Sequence, residues 1–263
     1  MKSSRLPAIV FGLVIVFLYL PILFLVVNSF NEARFSSTWA GFTLKWYAAL
    51  FDPQNRDLWE ATQRTLLIAI ASSAVSMILG TLSACALHWY RTRLQRLNYG
   101  LIYLPIVIPD LLMGISLLLF FVALGVTLGT MTILIAHITF CSSFVTVVVL
   151  GRLQGFDESI IAAARDLGAS GFTAVKRVFI PGISRGLLTA MALVLIPALG
   201  SYVIPDLVGG PGDEMIGNKI AQRTLGDRNL PQAATLSVAL FLITLVPLIV
   251  VFYLNRRERT HPA

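Results

Sequence analysis

Six apolar runs, each long enough to cross a bilayer, govern what this chain can fold into. They lie near residues 7–30, 65–89, 99–124, 130–151, 185–206 and 233–254. A spanning helix needs roughly 20 predominantly apolar residues, and in lipid every backbone N–H and C=O has to be paired inside the protein. None of the runs alternates with the two-residue period of a β-barrel strand. Helices are the backbone solution that remains, so the chain is read as an all-α polytopic membrane protein with six transmembrane helices. Composition agrees: 57% of the 263 residues are hydrophobic and 13% are charged, whereas a soluble domain carries about a quarter charged residues. The whole of 1–263 reads as one transmembrane domain, interrupted by a polar insert at 152–184.

Orientation follows from the basic residues. With the N-terminus inside, the inner set is Lys2, Arg5, Arg91, Arg93, Arg96, Arg152, Arg165, Lys176, Arg177, Arg185, Arg256, Arg257 and Arg259, which is 13 of the 20 Lys and Arg. The acids lean outward, with Asp157, Glu158, Asp166 and Glu258 on the inner side. This Lys/Arg asymmetry predicts cytoplasmic N- and C-termini. The net charge of +7 then expresses topology and contact with membrane lipid, and no aromatic-interleaved basic patch suggests nucleic acid. The first run exceeds the 7–15 apolar residues of a signal peptide and lacks a small-x-small cleavage site, so an uncleaved anchor is expected. Cys85 and Cys141 lie within spans and read as small buried hydrophobes.

Between the spans, outer loop one (31–64) carries Phe35, Trp39, Phe42, Trp46, Tyr47, Phe51 and Trp59. These rings favour a membrane–water boundary, as a plain aromatic belt or as a docking surface. Outer loop two (207–232) begins with Gly209-Gly210-Pro211-Gly212 and holds a possible short helix from Met215 to Leu225, with Ile216 and Ile220 on one face and Lys219 and Arg223 on another. Long loops of this kind are more often functional than idle.

The polar insert is the most distinctive segment. Asp157 is a plausible N-cap, and Glu158 puts negative charge in the first turn, where the helix dipole favours it. Ile160–Leu167 follows with three successive Ala, the best helix former, giving a helix of about ten residues, roughly 15 Å long. Gly168 stands where a left-handed C-terminal residue is wanted, and Ser170 is placed to cap a second short helix. Pro181 is expected to end that second helix and hold Ile180 extended.

In Ala162-Ala163-Ala164-Arg165-Asp166-Leu167-Gly168, with Val178-Phe179-Ile180-Pro181 ten residues on, the spacing resembles the coupling loop of ABC importer permeases. That pattern runs Glu-Ala-Ala, three residues, Gly, nine residues, then a hydrophobic residue, any residue, Leu and Pro. Ala163, Ala164, Gly168, Val178 and Pro181 fit; Ala162 replaces the usual Glu and Ile180 the usual Leu. Val27-Asn28-Ser29-Phe30-Asn31, Trp39-Ala40-Gly41-Phe42-Thr43, Lys45-Trp46-Tyr47, Pro109-Asp110 and His137-Ile138-Thr139-Phe140-Cys141 narrow the resemblance to spermidine/putrescine ABC transporter permeases. Up to about residue 195 the chain is similar to one of the two permease subunit types. From Ile196, Pro197-Ala198-Leu199-Gly200-Ser201-Tyr202-Val203-Ile204-Pro205-Asp206-Leu207 and Arg228-Asn229-Leu230-Pro231 resemble the other.

The resemblance implies a type I importer permease fold with a cytoplasmic coupling helix, in a bacterial inner membrane. Its implied partners are an ABC ATPase dimer, a second permease subunit (another type or a second copy) and an extracytoplasmic polyamine-binding protein. It also implies that Ala163, Ala164, Asp166, Gly168 and Pro181 serve ATPase coupling. No P-loop occurs in the chain, so ATP is expected to be used by the separate ATPase, with no cofactor bound here. There is no HExxH, GxSxG or paired-Cys motif, and no catalytic or metal site is expected.

For the substrate pathway, Asp110 is the leading residue. It falls about twelve residues into span three, roughly 18 Å along a straight helix, near mid-bilayer. A carboxylate there costs about 2.5–3.5 kcal/mol on insertion scales, which marks it as functional by default. Pro105 and Pro109 remove two helix donors nearby, and the freed carbonyls together with the carboxylate suit the three donors of an ammonium. The other reading of Asp110 is an acid paired with a neighbouring helix. Asp206 is expected near the outer mouth, with Tyr202 one turn back on the same face; its plainer reading is a loop-start residue after Pro205. His88 reads as interfacial, and His137 as a hydrogen-bonded packing residue rather than a ligand. An anion carrier should present basic groups or helix N-termini at mid-depth, and no Lys or Arg lies in the interior of any span. The alternative kept open is an importer permease for another solute: an amino acid, ferric ion or an oxyanion.

Overall fold

The computed structural model describes residues 6–34, 38–90 and 93–257. Lys2, Arg5, Phe35, Arg91, Glu258 and Arg259, used above, lie outside the described residues. In chain order the helices are α1 (Leu6–Asn28), α2 (Lys45–Leu50), α3 (Arg56–Trp89), α4 (Gln95–Val107), α5 (Asp110–Ala123), α6 (Thr130–Leu153) and α7 (Ser159–Asp166). They continue as α8 (Gly171–Ala174), α9 (Ile180–Leu199), α10 (Val203–Val208), α11 (Ile216–Ala221) and α12 (Leu230–Arg257). Two π-helical turns, Val175–Phe179 and Gln222–Gly226, join α8 to α9 and follow α11. Five helices or helix runs are long and apolar enough to cross a membrane, and the bent pair α4–α5 brings the number to six among the described residues.

The core is built where α3, α6 and α9 meet. The buried side of α3 is a series of small residues, Ala61, Ala69, Ser72, Ser73, Ser76, Gly80 and Ala84, which lets backbones approach closely, as in other membrane bundles. A Cβ on Gly80 would sit 2.6 Å from Val145 Cβ on α6, so glycine is required for that crossing. Ser76 Oγ donates to Ile138 O across the same seam at 3.2 Å. Around it, Val145, Val149, Leu153, Phe179, Ile183 and Val194 close a continuous apolar core. By contrast α1 is apolar on all sides and exposed along its length. It touches the bundle mainly through α12, as expected of a helix whose solvent is lipid or another subunit.

The end of the bundle that carries α7 is here the near end, and the end that carries 29–55 and 209–229 the far end. At the far end, outer loop one is shorter than the sequence suggested, because α3 begins at Arg56. The charges Arg56, Asp57, Glu60 and Arg64 hide a helical face on which Leu58 and Ala61 are buried. Asn31 organises the rest of the loop. Its Oδ1 accepts from Ala33 N–H and Ala40 N–H (both 3.1 Å), its Nδ2 donates to Thr38 O (2.9 Å), and its carbonyl accepts from Trp46 Nε1 (2.9 Å). Phe30 stacks on Phe42 and Tyr47, and Thr235 of α12 donates to Ser29 O at 3.2 Å.

Three expectations about helix continuity are corrected. Span three is two helices, α4 and α5, bent by 111°. The residue before Pro109, Ile108, is driven to extended backbone (φ −72°, ψ 131°), the steric effect of a proline on its predecessor. Span five is also interrupted: α9 stops at Leu199, and Gly200–Tyr202 separates it from α10. Pro181, conversely, ends nothing. Ile180 is helical (φ −59°, ψ −47°) and its N–H reaches back five residues to Val175 O. A proline in a regular helix clashes with the carbonyl four residues earlier; the wider π-turn at 175–179 relieves this, and Pro181 lies in the first turn of α9.

Candidate functional site

Both helix breaks open on one cavity of about 450 Å³, lined by Asp110, His137, Phe140, Ile196, Pro197, Ala198, Gly200, Ser201, Tyr202, Val203 and Ile204. Asp110 is the first residue of α5, and Pro109 caps it. A carboxylate at that position is favoured by the positive end of the helix dipole by about 0.3–1 kcal/mol; Asp110 is exposed, and no ion pair to it forms among the described residues. The opposite wall is the C-terminus of α9. The last four carbonyls of a helix have no intrahelical partner. Gly200 N–H takes up the Ile196 carbonyl at 3.2 Å, and the C-terminal end of α9 gives this wall partial negative charge. Asp110 is the one formally charged residue among those lining the cavity. A cation fits that electrostatic character.

Tyr202 lines the cavity, and Asp206 does not. The two keep the expected four-residue relation, with Asp206 N–H donating to Tyr202 O at 3.1 Å. Tyr202, however, is the residue before α10 (φ −125°, ψ −53°) and not part of that helix. Asp206 Oδ1 accepts from Asn218 Nδ2 at 3.3 Å, and the same amide reaches Tyr202 O at 3.4 Å. Leu207 packs on Gly114, where a Cβ would lie 2.6 Å from Leu207 Cδ1. Gly114 is one turn beyond Asp110, so the bends bring α10 alongside the start of α5; the sequence reading had set Asp206 about half a bilayer above it.

Residues 209–229 lock this arrangement from the far end. A Cβ on Gly217 would sit 2.3 Å from Ser201 O, so α11 presses directly on the joint between α9 and α10. Lys219 is buried and pairs with Glu214 and with Asp57 (3.5 Å). Arg223 bridges Asp57 (3.7 Å) and Asp227 (2.5 Å), and Arg64 reaches Asp213 at 3.3 Å. These basic residues are spent on acids of the same layer. A second cavity of about 260 Å³ between α2, α3 and α12 is apolar; its one hydroxyl, Thr62, is bonded to Leu58 O.

At the near end, α7 projects from the bundle with hydrogen bonds closing both of its ends. Asp157 Oδ1 accepts from Ser159 N–H at 2.9 Å, although Glu158, not Asp157, is the residue flanking the helix. Hydrogen bonds from the Ser159 side chain and backbone hold the exposed Asp157 carboxyl below the usual carboxylate range. Glu158 grips the end of α3, accepting from Trp89 Nε1 at 2.9 Å and meeting His88 Nε2 at 3.0 Å. Gly168 has φ +89°. Ala169 N–H bonds Ala164 O at 3.0 Å and Gly168 N–H bonds Arg165 O at 2.9 Å, the paired closure of a Schellman motif. Ser170 Oγ caps α8 through Thr173 N–H at 3.3 Å. Ile161 and Phe156 face the core, Phe156 edge-on to Phe179. Ala163, Asp166, Gly168 and Pro181 are exposed and Ala164 half-exposed. Leu167 is 89% exposed and Phe172 77%.

Sequence reasoning missed the joint at Gly200–Tyr202 and the cavity role of Phe140 and His137. Pro197 followed by Gly200-Ser201 was the available signal, since such residues mark helix breaks. For Phe140 and His137 no local signal exists, because they come to line the cavity only through breaks in other helices.

Residues 76–260 match the family described as binding-protein-dependent transport system inner membrane component. The spermidine/putrescine transport system permease protein PotC of Escherichia coli K12 is 36% identical over 244 residues, covering 93% of this chain and 91% of that protein. The Haemophilus influenzae PotC is 33% identical over 93% of this chain and 94% of its own length. The putrescine permease PotI of E. coli K12 is 36% identical over 203 residues, 74% of this chain and 72% of that one. An alignment of 244 residues to PotC runs past residue 195, where the sequence was read as changing subunit type. Among solved structures, a bacterial ABC transporter importing alginate superposes with TM-score 0.71 at 17% identity, over 99% of this chain and 95% of that one. The MetNI methionine transporter gives 0.65 at 19%, over 78% and 98%. Their identities are too low to speak of more than a shared fold, which is that of ABC importer membrane subunits. On the family match and the length of the PotC alignment, the chain belongs to the binding-protein-dependent transport system inner membrane components.

Proposed function

We propose that this chain is the permease subunit of an ATP-driven importer of polyamines, putrescine and spermidine, in the bacterial inner membrane. The observation that carries the reading is Asp110, the lone formal charge lining a cavity between two broken helices. An anionic solute entering there meets a carboxylate and no Lys or Arg. An alkyl diamine finds a carboxylate for one ammonium, the negative end of α9, and the rings of Phe140 and Tyr202 for its methylenes and charge. The similarity to PotC and PotI supports the same substrate class.

In this reading the chain is one transmembrane domain with both termini cytoplasmic, which the Lys/Arg asymmetry supports. ATP is hydrolysed by a partner ATPase dimer, and α7 docks into it. An exposed Leu167 and Phe172 at a clamped helix end are apolar surface of the sort that marks a protein interface. Substrate arrives from an extracytoplasmic binding protein at the far end, and a second permease subunit completes the pathway. The test is ATP-dependent accumulation of radiolabelled putrescine and spermidine in vesicles holding the full transporter and its loaded binding protein. Accumulation of neither, with an amino acid or oxyanion accumulating instead, would overturn the assignment.

A further inference from the structure

We propose that His137 is a second substrate-positioning residue, offering Nε2 as a neutral hydrogen-bond acceptor to an ammonium N–H held in the Asp110 cavity. The inference rests on the polyamine reading above and adds to it a residue and an atom. His137 is 2% exposed, on α6, and it lines the same cavity as Asp110. Its Nδ1 lies 2.8 Å from Ile133 O, one turn back. A carbonyl can only accept, so Nδ1 carries the hydrogen and Nε2 presents its lone pair. Nε2 is buried and has no hydrogen-bond partner among the described residues, a rare condition for a buried polar atom. His137 is among the residues that line the cavity, and with Nδ1 bonded to Ile133 O, Nε2 is the ring nitrogen left to accept a donor.

The two acceptors divide the work. Asp110 supplies charge, which attracts any cation. The imidazole adds direction without a second charge, and it rewards a cation that carries N–H donors over one that does not. A diammonium or triammonium chain has such donors at each nitrogen. A histidine serving only to pack α6 would leave the passage of substrate untouched once the helix was in place.

The experiment uses the complete transporter in vesicles with putrescine-loaded binding protein, and reads putrescine delivered per ATP hydrolysed. His137→Phe keeps the ring and removes the acceptor; the ratio should fall about fivefold, the size of one lost hydrogen bond. His137→Gln, whose amide oxygen reaches close to the Nε2 position, should keep at least about half of the ratio. Should the Phe variant not insert, His137→Leu makes the same comparison with Gln. An unchanged ratio in the variant lacking the acceptor, or uptake and hydrolysis falling together in both variants, would overturn the inference while leaving the polyamine reading intact. Failure of the unaltered transporter to accumulate putrescine would overturn both.

Discussion

The α7 segment and the Asp110 cavity both depart from straight transmembrane helices, but by different devices. At the near end the chain is folded by local rules: a carboxylate cap at Asp157, a glycine at φ +89°, a serine cap at Ser170. The result is clamped to α3 by Glu158 and to the core by Phe156 and Ile161. At the cavity, order comes from interruption. Pro109 breaks one span and Gly200–Tyr202 another, and the two helix ends line a space that no single segment encloses. A projection tied to two parts of the bundle suits the transmission of force to the proposed ATPase partner. A cavity walled by several helix ends suits alternation, because small relative movements of those helices change its shape. On the proposed function, coupling at α7 and recognition at the cavity are separable, and substitutions at the two sites should fail in different ways.

The largest effect is expected at Gly168. A β-branched residue at φ +89° is strained by about 1–3 kcal/mol, and in Gly168→Val the Schellman closure would be lost. Uptake and ATP hydrolysis should both fall by about tenfold or more, with co-purification of the ATPase reduced and membrane insertion retained. Next is Asp110→Asn, which keeps shape and removes charge. Putrescine uptake should drop about tenfold, equivalent to about 1.4 kcal/mol, while the ATPase still co-purifies. If both variants lost the ATPase, the proposed separation would be wrong.

Glu158→Ala removes the acceptor of Trp89 and His88 at a half-exposed site. About a threefold loss of coupled transport is expected, in keeping with a surface ion pair of under ~1 kcal/mol. Asp206→Asn lies off the cavity and retains an oxygen for Asn218, so uptake should change by less than about twofold; a tenfold loss would place Asp206 in the pathway on equal terms with Asp110. The smallest effect concerns Asp157. Its folded-state carboxyl titrates below the unfolded value of about 3.9, so the cap stabilises α7 above that pH and is lost as pH falls through the folded value. The protection of Ser159 N–H, taken as its exchange relative to an unstructured amide at the same pH, should fall on acidification in the native chain and stay constant in Asp157→Ala.

This contrast also explains what the sequence disclosed. The α7 region was readable residue by residue, because capping, glycine and alanine preferences act within one turn. Even there Pro181 misled, since a π-turn upstream accommodates it. Spans α1, α6 and α12 were legible to within a few residues from apolar length alone. The start of α3 was not, because its charged face at Arg56–Arg64 resembles loop while Leu58 and Ala61 on the other face are buried. Asp110 was visible as a costly charge in an apolar run. Tyr202 was legible too, though paired with Asp206 and not with the cavity. His137 and Phe140 were not, because they join Asp110 in lining one cavity only once α4–α5 and α9–α10 have bent, and the closeness of Leu207 to Gly114 and of Ser201 to Gly217 depends on residues far apart in the chain.

The most direct test of the account is the number of putrescine molecules delivered per ATP hydrolysed, compared between Asp110→Asn and Gly168→Val in the same reconstituted transporter. Asp110→Asn should lower the ratio about tenfold at near-normal hydrolysis, whereas Gly168→Val should lower both rates and leave the ratio within about twofold of the unaltered protein. Equal ratios in the two variants, or a collapsed ratio in Gly168→Val with hydrolysis intact, would contradict it.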